Sequence, residues 1–352
     1  MKHLIWPLLI FLIVFRYFTT RPIYNNGDKI RITQTVYTDP VIYPTSQYIN
    51  LSGLKVYLPL FPEVSYGQKV VVEGVVEKGK LNNPKLINIY ENHNFAVSFR
   101  NKIVELYLET LPQPMGGLLS GIVIGSKGAL TQDFYNQTKL TGVAHVVVAS
   151  GTNITFVVAF LMGILTLIMP RKKAIAFIIL GIILYLFISG FQAPLIRAAI
   201  MSSFIFLGQT TGRVVLTWRI FFITGFGMLI YRPDWILDIG FILSFVSTAS
   251  LMLFENRIRN YLKKVPEVIK EGLSTSLAAQ IGVAPILFVT FGQFNILSPI
   301  INALVLWTVP YLMILGSIGG VVGLIVPGLG RVILYLSYPL LWWFITVVSI
   351  FS

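Results

Sequence analysis

Two hydrophobic periodicities divide the chain. Between Asp28 and about His93, apolar and polar residues alternate with a period of two and β-branched residues are frequent. That pattern predicts half-buried strands at Lys29–Tyr37, Ile49–Leu58, Lys69–Glu77 and Leu86–Tyr90. Turn chemistry falls between them at Asn26-Gly27-Asp28, Asp39-Pro40, Ser65-Tyr66-Gly67 and Asn82-Asn83-Pro84. About five short strands in so short a stretch suit a small Greek-key barrel of the OB-fold kind, with an SH3-like barrel as the alternative. After Gly142 the alternation disappears. Apolar runs follow at Val143–Met169, Ala174–Gly190, Pro194–Gly208, Val214–Tyr231, Ile236–Phe254, Leu273–Phe291, Ile296–Val326 and Val332–Phe351. A bilayer core takes about 20 helical residues to cross, so these runs predict eight or nine spans. Ile296–Val326 is too long for one crossing, and Pro310, Gly319 and Gly320 predict that it breaks.

Three shorter segments complete the pattern. Leu4–Phe18 is apolar and follows Lys2 and His3, but no small-x-small cleavage site comes after it, so it reads as an uncleaved anchor. Ser98–Thr110 reads as an amphipathic helix lying in the membrane interface. Phe99, Ile103, Leu106 and Tyr107 share one side, and Arg100, Lys102, Glu105 and Glu109 take the other. Met115–Gly125 is too short to span and reads as re-entrant or interfacial. The organisation expected is an anchor at 1–20, an OB-fold-like module at 28–95, amphipathic or interfacial helices at 98–130 and a transmembrane domain at 140–352.

Composition agrees. Charged residues make up 12% of the chain, about half the share in soluble domains, and Arg331 is the only formal charge from Leu273 to Ser352. The fold class predicted is therefore a polytopic α-helical membrane protein with a small extracytoplasmic β-barrel (OB-fold-like) domain. The net charge of +13 sits largely in short loops, as in cytoplasmic loops generally. Arg171-Lys172-Lys173 and the group Arg257, Arg259, Lys263, Lys264 and Lys270 are both placed in the cytoplasm, and four predicted spans separate them. An anchor running outward puts the amino terminus in the cytoplasm and the β-module outside.

Polar residues inside apolar runs need a reason. The first group is His145, Ser150, Gly151, Thr152 and Asn153, where Ser-Gly-Thr-Asn interrupts an apolar strip. It predicts an unwound helix middle or a small-residue packing seam. The second is Arg197, one turn inside the helix that Pro194 opens, beside Ala198 and Ala199. The third runs from Asp238 to Ser244, with Asp238 the candidate partner for Arg197. Gln280, Pro285 and Asn302 are weaker markers of the same kind.

Familiar chemistry is missing. The chain has no cysteine and only His3, His93 and His145, which leaves no thiol catalysis, Cys-ligated zinc or two-metal hydrolase site. It has no Walker loop, zincin motif or nucleophile elbow. A regular helix would set His145 and Ser150 about 140° apart, which argues against a base–nucleophile pair. No catalytic residue, metal site or cofactor is predicted.

Three ordered blocks carry a resemblance. His145 to Gly151, then Gly-x-x-x-Pro-x-x-Arg-Ala-x-x-Met from Gly190 to Met201, then Asp-x-Gly-Phe-x-Leu-Ser-Phe from Asp238 to Phe245 resemble the ComEC family of competence proteins. Gly117-Leu118-Leu119-Ser120-Gly121 resembles that family's approach to the first block. The resemblance runs from about Ser98 to the carboxyl end. It implies a channel carrying single-stranded DNA across the cytoplasmic membrane in natural transformation, with His145, Ser150, Gly151, Thr152, Asn153, Arg197, Asp238, Ser244 and Gln280 along the path. Many relatives add a metallo-β-lactamase-like domain, for which this sequence has too few histidines. A separate nuclease, a DNA receptor and a cytoplasmic motor are the partners implied, beside membrane lipid. A homo-oligomer is compatible with the sequence, although no seam identifies one. Tyr37, Tyr48 and Tyr57 are candidates to stack on bases. A secondary transporter of a small solute or lipid precursor, built on broken helices and an Arg–Asp pair, is the alternative.

Overall fold

Alternation yields strands and the long apolar runs yield helices in the structure, a computed structural model that describes residues 5–20, 24–43, 45–91, 94–148, 150–210, 216–291 and 295–352. His3, His93, Ala149 and Val214 lie outside the described residues. A helix α1 (Ile5–Thr20) precedes strands β1 (Lys29–Thr35), β2 (Val41–Ile42), β3 (Ser46–Leu51), β4 (Leu54–Pro59), β5 (Lys69–Glu77) and β6 (Lys80–Tyr90). Four short or medium helices follow: α2 (Phe95–Thr110), α3 (Met115–Ile124), α4 (Gln132–Leu140) and α5 (Ala144–Val147). Then come α6 (Gly151–Ile168), α7 (Arg171–Ser189), α8 (Ala193–Thr210) and α9 (Thr217–Tyr231), and a 3-10 turn at Pro233–Leu237. The remainder is α10 (Ile239–Tyr261), α11 (Glu267–Phe291), α12 (Ser298–Leu306), α13 (Thr308–Ile325), α14 (Pro327–Tyr335) and α15 (Tyr338–Ile350).

The six strands form one sheet in the order β1-β5-β6-β4-β3-β2, antiparallel except for the parallel β4–β6 pair. It is open, which corrects the closed barrel expected: among the described residues no ladder joins β1 to the two-residue β2. It nevertheless curls around one apolar core that includes Ile32 of β1, Ile49 and Leu51 of β3, and Val70 and Val72 of β5. The predicted strand Ile49–Leu58 is two strands. Ser52 and Gly53, at φ 51° and 84°, make a two-residue turn between β3 and β4. Conversely, Asn82-Asn83-Pro84 is a register irregularity close to a strand start, and the hairpin turn is Lys78-Gly79. Buried Gln47 ties the β4–β5 connection to the sheet. Its Nε2 donates to the carbonyls of Pro59 (2.8 Å) and Pro62 (2.7 Å), and its Oε1 accepts from the Val64 amide (2.8 Å).

Among the described residues, six helices are long and apolar enough to cross a bilayer, seven if α14 and α15 count as one span bent by 45°. Their outward faces carry large exposed apolar side chains such as Leu167, Leu184 and Val289, a surface that only lipid or protein can cover. The protein is a multi-pass helical membrane protein. The helix count falls below expectation because α9 is too short to span and the last run is a bent pair, whereas the break expected within Ile296–Val326 is present. Ile296–Val326 breaks at Trp307 into α12 and α13, where Pro310 offers no N–H to the carbonyl of residue 306 and its ring crowds that group. Val214–Tyr231 leaves a helix of 15 residues, α9.

Gly319 and Gly320, expected to break that run, lie inside a continuous α13 and serve close packing instead. A Cβ on Gly316 would meet Val123 of α3 at 2.6 Å, one on Gly320 would meet the Tyr107 hydroxyl of α2 at 2.7 Å, and one on Gly323 would meet Leu106 at 2.5 Å. This stripe packs α2 and α3 against α13. All ten residues of α3 are buried, and α2 buries Arg100, Ile103, Leu106 and Tyr107. Tyr107 donates to the Gly316 carbonyl at 2.7 Å. Both helices belong to the largest apolar core, with α12, α13 and α15.

Candidate functional site: a polar cavity under the sheet

Where the sheet meets the helices, one charge pair is fully enclosed. Arg100 of α2 was expected on a solvated face, but its side chain is 2% exposed and that of Asp39, in the loop after β1, is 9% exposed. Its Nη2 donates to both Asp39 oxygens at 3.1 and 3.0 Å, and its Nη1 donates to the carbonyls of Ile124 and Ile188 at 3.0 Å each. The Tyr66 ring lies 4.2 Å from the guanidinium carbon. The Lys127 amide donates to Asp39 at 2.7 Å. Both terminal amino groups of Arg100 thus meet acceptors, at the ends of α3 and α7 and in the loop after β1. Burial raises the Tyr66 phenol above its ordinary value.

Beside this seam opens a cavity of about 3050 Å³. Its sheet-side wall includes Tyr37, Tyr48, Asn50 and Tyr66. From there it continues between α8, α10, α11 and α12. On α10 it is lined by Gly240, Leu243, Ser244, Ser247, Thr248 and Leu251, and on α11 by Thr275, Ser276, Ala279, Gln280, Val283 and Leu287. Each set repeats at three and four residues, so one face of each helix forms the wall. At 1.5 Å per residue the α10 stripe alone runs about 16 Å, half of a hydrocarbon core of roughly 30 Å. Hydroxyls and amides set among the apolar side chains of these walls give water hydrogen-bond partners at that depth.

The residues expected along a path divide. His145, Ser150, Gly151, Thr152, Arg197, Asp238, Ser244 and Gln280 all line the cavity. Asn153 does not: it is 1% exposed, and its Nδ2 donates to the Ile122 carbonyl (2.7 Å) and the Tyr185 hydroxyl (3.2 Å). It pins α6 to α3 and α7. The helix predicted over Val143–Met169 breaks where Ser-Gly-Thr-Asn interrupts it. Val148 and Ser150 are extended, and α6 starts at Gly151. His145 sits on the separate α5 and faces the Gly142 carbonyl at 3.1 Å.

The Arg197–Asp238 pairing is corrected. Asp238 caps α10, its Oδ1 accepting from the Phe241 amide at 2.7 Å. Arg197 turns instead to hydroxyls: Nε donates to Ser244 Oγ at 2.7 Å and Nη1 to Thr248 Oγ1, with Met201 Sδ 3.8 Å away. Thr248, Ser247, Thr275 and Ser276 went unnoticed in the sequence, although Ser and Thr recurring at helical spacing in apolar runs are the signal that marks them. Asn302 was noticed. Its Nδ2 meets Ser276 (3.1 Å) and Ser298 (3.3 Å), while its buried Oδ1 has no partner among the described residues. On the sheet, Tyr48 stacks near its cross-strand partner Tyr57 (centroids 5.2 Å apart), with Tyr43 at 6.4 Å from Tyr57. Tyr37 is 56% exposed, so none of these rings fills the sheet core. Among the described residues no cluster of His, Asp and Glu could hold a metal.

The chain is a bundle of helices long and apolar enough to cross a bilayer, with a large cavity between them lined by hydroxyl, amide and apolar side chains and a sheet over that cavity. Residues 122–352, about two thirds of the chain, match the family described as competence protein, and the chain belongs to that family. It is 26% identical over 243 residues to ComE operon protein 3 of Bacillus subtilis (strain 168), a match covering 66% of this chain and 30% of that protein. The chain therefore spans less than a third of that relative's length. No solved structure matches it.

Proposed function

We propose that the chain carries single-stranded DNA across the cytoplasmic membrane in natural transformation, through the cavity between α8, α10, α11 and α12. One observation carries this reading: in a member of the competence family, a cavity whose walls carry Arg197, hydroxyls and amides among apolar side chains reaches from the sheet into the bundle. Each nucleotide brings one charge, and a charge in hydrocarbon costs at least several kcal/mol, so a strand needs a wet path lined by protein. Hydroxyls and amides hold phosphates weakly, which suits a conduit that must also release them.

The orientation follows from the basic loops. The amino terminus lies in the cytoplasm, the sheet outside, and the sheet module acts as an OB-fold-like receiver whose Tyr37, Tyr48 and Tyr57 stack on bases. A separate nuclease, a DNA receptor and a cytoplasmic motor complete the machinery. The small-solute transporter loses its main support, because the Arg197–Asp238 pair on which it drew is not formed. Deleting the gene and measuring nuclease-protected labelled DNA inside the cell tests the reading. Protected DNA should disappear, and undiminished protection refutes DNA carriage.

A further inference from the structure

Arg197 holds its charge in an unusual way. It projects from α8 into the cavity, and among the described residues no carboxylate lies within ion-pair distance. Its only polar partners on α10 are the hydroxyls of Ser244 and Thr248. Thr248 spends its own proton on the Ser244 carbonyl at 2.9 Å, which leaves lone pairs for the arginine. Hydroxyls orient a guanidinium without cancelling its charge. Nη2 has no protein acceptor among the described residues and lies against Gly151, where an added Cβ would sit 2.8 Å from it. The Ser150 and Thr152 hydroxyls, hydrogen-bonded to each other, line the same part of the cavity.

A cation oriented from behind, open on one side and unneutralised among apolar helices is stabilised most by an anion at the open side. We propose that Arg197, steered by Ser244 and Thr248, is a single-phosphate station: its Nη2 face takes one phosphodiester of the passing strand at a time. This rests on the DNA-carriage reading and adds which atoms hold the cargo and how many phosphates they hold. With one open amino group only one phosphate is engaged, so the strand is held in register yet can step on.

The test uses the full chain in dodecyl maltoside, a detergent without phosphate, so that no lipid headgroup supplies the same chemistry. Binding of a fluorescein-labelled oligodeoxythymidylate is followed by anisotropy between roughly 50 and 200 mM salt. Releasing one phosphate contact from a single strand lowers the slope of log K against log salt by about 0.7. Arg197→Met should show that decrease and bind about tenfold more weakly, and Arg197→Lys should restore the slope at lower affinity. A merely structural arginine would not move the salt slope by one phosphate. Equal slopes in the wild-type chain and Arg197→Met overturn the station while leaving DNA carriage intact. Failure of the wild-type chain to bind the oligonucleotide, together with full DNA protection in the deletion strain, overturns both. If Arg197→Met does not fold, Gly151→Ala serves instead, since its methyl intrudes on Nη2 while the arginine stays. It should weaken binding several-fold, and unchanged binding refutes the proposal.

Discussion

Two arginines face opposite demands. Arg100, at the seam between sheet and bundle, is enclosed, with both terminal amino groups bonded to a carboxylate and two carbonyls and an aromatic face beside the guanidinium. Arg197, on the cavity wall, is held by two hydroxyls and keeps one amino group open. The first arrangement leaves nothing for a ligand, and its worth lies in joining elements far apart in sequence. The second orients a charge without neutralising it, which is of little use to stability and suited to binding. The partners of a buried charge therefore separate a structural arginine from a functional one better than burial does.

The comparison can be broken most decisively through function. Arg197→Ala should abolish internalisation of labelled DNA while the protein remains inserted and melts close to the wild type. Normal uptake would remove Arg197 from the mechanism. The seam should respond in the opposite sense. Asp39→Ala strands the Arg100 charge and should cost about 3–5 kcal/mol, read by thermal unfolding in detergent. Replacing both partners by apolar residues of similar volume should recover most of that loss, and if it does not, the pair contributes more than mutual neutralisation. Asn153→Leu should cost about 1–3 kcal/mol by leaving the Ile122 carbonyl and the Tyr185 hydroxyl without their donor. A loss of oligonucleotide affinity with unchanged stability would instead return Asn153 to the path. The smallest effect belongs to Glu267→Gln. Glu267, the first residue of α11, pairs with Arg259 in the last turn of α10 and with Lys270 one turn along α11, and its side chain is exposed; water and salt screen such pairs, so no change in melting temperature should be resolved.

Much of this was legible along the chain. Alternation marked the strand region, with β5 at the residues expected, and apolar runs located α7 and α8 to within about three residues at either end, whereas one end each of α6, α10 and α11 lies about six to eight residues from its expected place. The Ser-Gly-Thr-Asn interruption was visible as either an unwound helix or a small-residue packing seam, and the structure decided for the break, with Ser150 extended and α6 starting at Gly151. Arg100 was not legible. At helical spacing an arginine beside Lys102 and Glu105 looks solvated, and Asp39 beside Pro40 looks like an ordinary turn. Their meeting spans 61 positions, and no local pattern carries it. Gly319 and Gly320 were visible, but spacing does not distinguish a breaker from a packing face; the neighbours do.

Composition and periodicity alone determined that the chain is a membrane-spanning helical protein with a strand-rich module, because hydrophobic burial and backbone hydrogen bonding act through local spacing. Only the tertiary structure decided that the sheet stays open, that α2 and α3 are core elements, that Asp238 caps a helix, and that Arg197 rests on Ser244 and Thr248. Those outcomes depend on which side chains meet across long stretches of sequence, where the solvation of a charge is settled by the neighbours that packing brings to it.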